Sequence, residues 1–76
     1  MGRAQQLEIQ AEMVANVVAV VVAEGADVAV GDTVVLLESM KMEIPVLAER
    51  AGRVQAVKVS PGDVVQEGEA LVVLTV

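Results

Sequence analysis

Residues 36–46 read LLESMKMEIPV, which places Lys41 between Met40 and Met42, with Ser39 and the acids Glu38 and Glu43 just outside. A lysine amine is normally protonated at neutral pH and becomes a nucleophile once that proton is removed. The chain has only one other lysine, Lys58, within VQAVKVS. Strict alternation there puts Lys58 on the wet face of a strand, as a solvated charge. Lys41 falls instead between two strand-like segments, TVVLLES and MEIPVLA. No glycine, asparagine or proline marks that junction. The chain has little spare length, so a tight hairpin across Ser39–Glu43 is the simplest reading, with Lys41 at a protruding tip and its amine in water. Pro45 suits an edge or bulge position shortly after the turn.

Taken alone, Lys41 is an ordinary charged residue on a turn, and the methionines oppose that reading. Turn tips favour small or polar residues. Two methionines at a tip either fold inward as core or stay outside as a soft, adaptable contact surface. Inward burial of both would strain a short hairpin; both arrangements stay open on the residues alone. Glu38 and Glu43 are solvated hairpin acids or a source of charge complementarity with a partner. They could form an acid/base pair, but nothing implies a cleft to hold a substrate.

Composition removes several classes of function. The 76 residues include no cysteine and no histidine, so thiolate chemistry, disulfides and the commonest general base and metal ligand are absent. A metal site is not expected. The formal net charge of −6 opposes nucleic-acid binding, which needs a basic footprint, and no aromatic is available to stack on a base. The longest uncharged run, Met13 to Ala23, is short of the roughly 20 apolar residues of a membrane-spanning helix. Glu8 and Glu12 precede it, unlike the positive start of a signal peptide, so it reads as buried strand. A soluble, cytoplasmic protein is expected.

The elements that must hold the tip follow from valine and glycine. The chain is 55% hydrophobic without aromatics, so its core is aliphatic, and valine favours pleated strands. Residues 16–39 align on residues 53–76 at an offset of 37, the separation of Gly25 from Gly62 and of Gly31 from Gly68. Nine of the 24 aligned pairs are identical; valine matches come cheaply in such a chain, so the two glycine pairs carry the argument. Asp32 over Glu69 keeps an acid after the second glycine. Each half reads strand, turn, short strand, turn, strand, with Gly25, Gly31, Gly62 and Gly68 supplying positive φ at the turns. Strands are expected near 7–12, 15–22, 33–39, 42–48, 52–59 and 70–76, with short bridging strands near 27–30 and 64–67. Residues 1–6 are expected to form a flexible start, and 7–76 a single all-β domain of two packed sheets or a flattened barrel with pseudo-two-fold symmetry.

The segment ESMKMEIPV resembles the attachment site of biotinyl domains, in which biotin is joined to the lysine of a Met-Lys-Met tripeptide. AGRVQAVKVSPGDVVQEGEALVVL is similar to the second half of such domains, and the resemblance covers nearly the whole chain. It points most closely to small stand-alone biotin/lipoyl attachment proteins and to the carrier domains of acyl-CoA and pyruvate carboxylases. The resemblance implies a flattened barrel of two four-stranded antiparallel sheets, with the lysine on a hairpin at one end. It implies Lys41 as the biotin acceptor, and Met40 and Met42, with Glu38, Ser39 and Glu43, as the residues a biotin protein ligase reads. Ser39 stands where many carriers have alanine. No insertion interrupts the first half, so the extra "thumb" loop of some bacterial carriers is missing. Lipoyl domains share the fold but usually place an acid directly before the lysine; Met40 there favours biotin.

The implied role is that of a non-catalytic carrier. The Lys41 amine would attack the activated carboxyl of biotinyl-adenylate in the ligase and form an amide. Carboxybiotin would then shuttle from a biotin carboxylase to a carboxyltransferase acting on an acyl-CoA or a 2-oxo acid. Two other roles fit the same fold: a lipoyl carrier of an oxo-acid dehydrogenase-type complex, and an unmodified structural barrel module.

Overall fold

The computed structural model describes residues 5–76. Eight strands follow one another along the chain: β1 (Gln6–Gln10), β2 (Ala15–Val20), β3 (Asp27–Val28), β4 (Thr33–Ser39), β5 (Met42–Leu47), β6 (Gly52–Val57), β7 (Val64–Val65) and β8 (Ala70–Thr75). They form two four-stranded antiparallel sheets, ordered β1-β8-β6-β3 and β5-β4-β2-β7. The two halves of the chain interlock. The short strand β3 of the first half pairs with β6 of the second, and β7 of the second pairs with β2 of the first. The edge strands β1 and β5 are not bonded to each other, so the expected flattened barrel is realised as an open, flattened sandwich. The described residues contain no helix, so no helix among them is long and apolar enough to cross a membrane.

The 37-residue repeat is a repeat of contacts. Val34, Val35 and Leu37 of β4 are buried, and so are Leu71, Val72 and Leu74 at the matching positions of β8. Val17 matches Val54 and Val28 matches Val65 in the same core. The turns repeat as well. The Gly25 N–H donates to Val54 O, and the Gly62 N–H to Val17 O, both at 2.8 Å. The Gly31 N–H donates to Ala48 O, and the Gly68 N–H to Ala11 O, again at 2.8 Å. The four glycines have φ between 87° and 95°, in the third position of turns closed by Ala26, Asp32, Asp63 and Glu69 N–H groups. That is the type II arrangement, in which glycine takes the left-handed position at no steric cost.

Applied to the ends of the chain, the repeat locates the tip. Ser39 and Met42, which close the β4–β5 hairpin, match Val76 and Gln5, which exchange two backbone hydrogen bonds of 2.8 and 3.1 Å. Gln6 pairs with Thr75. Gln5 and Gln6 are therefore tied to the end of β8, a correction to the flexible start expected over 1–6; residues 1–4 lie outside the described residues. Gly52 follows the end of β5 closely and lies against that terminal pair, so close that a Cβ there would sit 2.6 Å from Thr75 O. Because β5 runs away from the hairpin, the described ends of the chain sit at the opposite end of the 46 × 19 × 17 Å body from Lys41.

Candidate functional site

The hairpin is built from the core outward. Leu37 of β4 is buried and pairs with half-buried Ile44 of the edge strand β5. Pro45 lies in this edge strand opposite Leu36, where a missing N–H costs no bond in the sheet's interior. Glu38 then pairs with Glu43, and Ser39 with Met42, leaving Met40 and Lys41 as a two-residue loop. Both loop residues are left-handed, Met40 at φ 53° and Lys41 at φ 66°. Positive φ at both positions is the type I′ turn, whose twist matches that of the strands it joins. Asn-Gly is the usual pair at these positions, and a side chain there costs about 1–2 kcal/mol per residue. The turn was foreseeable from chain length, but its left-handed backbone was not, because Met-Lys carries no signal for it.

The methionines turn outward. Met40 is 88% exposed and Met42 60% exposed, and Lys41 between them is exposed too. Neither methionine belongs to the buried core. The tip is therefore an amine flanked by two solvent-facing thioethers on a stiff two-stranded support.

Below the tip the two acids face each other across the hairpin, both exposed. Like charges directly opposite on a sheet repel. Among the described residues the single ion pair is Arg53–Asp27, at 3.3 Å, so neither acid is neutralised by a cation within that set. The pairing register extends their row across the sheet: Glu43, Glu38, Asn16 and Val64 are successive partners, all exposed and on one face. Asn16 and Val64 were not read as site residues from the sequence. Only the cross-strand register, which joins positions 16, 38 and 64, brings them to the tip's flank.

The four turn glycines do not join this cluster. Gly31 and Gly68 line a groove of about 1000 Å³ between the open edges of β1 and β5, with Leu7, Ile9, Ile44 and Val46 on its walls. None of the residues Glu38 to Glu43 lines that groove, so this groove and the candidate chemistry are in different places. Among the described residues no group of three or more His, Cys, Asp or Glu side chains is placed to hold a metal ion. Lys41 is exposed and stands apart from that groove. What the arrangement can do is present one amine, and a group attached to that amine, to the active site of another protein.

Residues 7–74 match the family model described as "Biotin-requiring enzyme". The chain belongs to this family. It is 56% identical over 68 residues to the biotinylated protein TB7.3 homolog of Mycobacterium leprae, covering 90% of this chain and 96% of that one. It is 42% identical over 69 residues to the biotin/lipoyl attachment protein of Bacillus subtilis, covering 91% and 94%. Among solved structures, a single-chain, multi-domain long-chain acyl-CoA carboxylase contains a matching region, with a TM-score of 0.87 and 40% identity over 92% of this chain and 7% of that enzyme. This member of the biotin-requiring family is thus similar both to small free-standing attachment proteins and to one small part of a large carboxylase.

Proposed function

We propose that the protein is a biotin carboxyl carrier, with biotin joined through an amide to Nζ of Lys41. The observation that supports it most is the tip itself: an exposed lysine on a left-handed two-residue hairpin, flanked by methionines that are 88% and 60% exposed. Biotin fits this tip, because Met40, Lys41 and Met42 are all exposed and none of them lines the groove between β1 and β5. When attached, biotin supplies a ureido ring that takes up a carboxyl group and gives it up again.

The chain's own residues do the rest. Lys41 tethers, and the hairpin orients the tether away from the body. Tethering raises the local concentration at a docked enzyme to the order of millimolar. Met40 and Met42 offer adaptable apolar contacts to a biotin protein ligase, and later to biotin carboxylase and carboxyltransferase. The Glu38–Glu43 couple, without a cation partner among the described residues, favours partners with a basic rim, and charge of this kind speeds encounter without making docking tight. Weak docking suits a carrier that must leave each partner. The likeness to a region of a long-chain acyl-CoA carboxylase supports an acyl-CoA carboxylase as the enzyme served.

Intact mass after incubation with biotin, ATP and a biotin protein ligase tests the reading. One biotinyl group should be gained, mapped to the Lys41 peptide, and Lys41→Arg should fold and gain none. Labelling that persists in Lys41→Arg, with Lys58 then modified, would sink the assignment. Modification by a lipoate ligase in place of the biotin ligase would move the protein to the lipoyl carriers.

A further inference from the structure

Methionine is the only readily oxidised side chain this protein has: the sequence contains 4 methionines and no cysteine, tryptophan, tyrosine or histidine. Met1 lies outside the described residues. Met13 is 36% exposed, while Met40 and Met42 are 88% and 60% exposed. Among the described residues, the most exposed methionines therefore stand on both sides of Lys41. Susceptibility to peroxide follows access to the sulfur.

We infer that Met40 and Met42 form a peroxide-sensitive modification site that reversibly blocks acylation of Lys41. The inference rests on the reading of Lys41 as the acceptor. In the step itself, a lone pair of the methionine sulfur attacks one oxygen of hydrogen peroxide. The O–O bond breaks and an S–O bond forms. Sulfur loses two electrons, and the other peroxide oxygen takes them and leaves as water after proton transfer. The product, a sulfoxide, is polar and chiral where the thioether was apolar and pliable. Neither methionine packs in the core, so the change falls on what the tip presents and leaves the sheets beneath it intact. A partner that receives the tip in an apolar recess then meets a strong hydrogen-bond acceptor on each side of the lysine. The block is reversible, because sulfoxide reductases of two kinds reduce the two epimers.

The test treats the whole chain with hydrogen peroxide, maps oxidation by peptide mass, and measures the initial rate of biotin incorporation by a biotin protein ligase. Met40 and Met42 should oxidise ahead of Met13, with the far-ultraviolet circular dichroism unchanged. The rate should fall about tenfold or more, the scale of one methionine side chain losing its burial in a partner. Treatment with both sulfoxide reductases should restore the rate in the native sequence. A Met40→Leu, Met42→Leu double variant should keep its own rate after peroxide. An untreated chain that takes no biotin overturns the carrier reading and this inference with it. A labelled chain whose mapped Met40 and Met42 sulfoxides are labelled as fast as the thioethers, or whose lost rate the reductases do not restore, overturns this inference alone.

Discussion

At Gly25, Gly31, Gly62 and Gly68 the backbone turns left-handed on residues without a side chain, and at Met40 and Lys41 it does so on two of the longest side chains in the protein. The glycine turns do structural work only: they close the sandwich and hold β3 and β7 in place through hydrogen bonds that repeat between the halves. Nothing need project from them, and glycine takes their backbone at the lowest cost. The tip has the opposite requirement. A type I′ turn keeps the hairpin as short as it can be, and on the proposed carrier role its side chains are those a partner would meet. The left-handed cost of about 1–2 kcal/mol at each of Met40 and Lys41 is offset by the β4–β5 ladder beneath, which runs over six paired positions. Left-handed backbone with side chains appears at the exposed tip, and glycine takes it where the turns only close the sheets.

The largest expected effect tests the glycine side of this contrast. A Cβ added at Gly68 meets nothing within 4 Å, so Gly68→Ala isolates the cost of φ at +87°. It should destabilise by about 1–2 kcal/mol. In a domain of this size each kcal/mol lowers Tm by about 4–8 °C in thermal unfolding. Biotin labelling of the folded protein should be unchanged, because the residue is remote from the tip. An unchanged Tm would mean that left-handed backbone is cheap here, and the argument from strain at Met40 and Lys41 would fall with it.

A smaller effect tests whether the two halves differ for a local reason. Asp63 accepts a hydrogen bond from the Ser60 N–H at 2.8 Å, and Asp32 does the same for Ala29. Glu69 repeats the pattern with Gln66 at 3.1 Å. The fourth turn has Ala26 at the matching place and lacks this bond. Asp63→Ala should cost about 1 kcal/mol, and Ala26→Asp should return about 0.5 kcal/mol, part of it lost to the neighbouring Asp27 charge. Urea unfolding midpoints measure both. If Ala26→Asp destabilises, the turns are not interchangeable and the pseudo-symmetry stops at the backbone.

These turns also mark where local sequence information ends. Valine alternation and the spaced glycines placed all eight strands to within a few residues, and Pro45 announced its edge strand. Those signals are local: each depends on a period of two or on one residue's backbone freedom. The partner of each strand is not local. That β3 joins the second half's sheet and β7 the first half's follows from packing, which no single stretch encodes, and Asn16 and Val64 reach the flank of Glu38 only through that pairing. The tip was legible in part. Met-Lys-Met marked the position and the resemblance gave it a chemistry, while the side chains alone left the methionines free to point either way. Their outward placement follows from the I′ backbone, which the residue types do not announce. Gln5 and Gln6 looked like a frayed start because polar residues at a chain end usually are; here their backbone completes the pairing with Val76 and Thr75 that mirrors the hairpin.

Met40→Gly has a small expected effect on stability and draws the contrast most directly, since it installs the glycine solution at the tip. With the side chain 88% exposed, almost no burial is lost. Removing it relieves about 1–2 kcal/mol of left-handed cost, and the added freedom of the unfolded chain takes back about 0.5–1 kcal/mol. A net gain of about 0.5–1 kcal/mol should appear as a higher Tm. The ligase should meanwhile label Lys41 more slowly, because one of the two thioethers beside the amine is gone. Stability and labelling would then move in opposite directions on one substitution, as expected of a residue kept for recognition against the preference of its own backbone. If labelling speed is unchanged, the ligase reads the lysine and its turn without Met40. If stability falls, the turn is not strained at this position, and the choice of methionine over glycine at the tip has a structural cause.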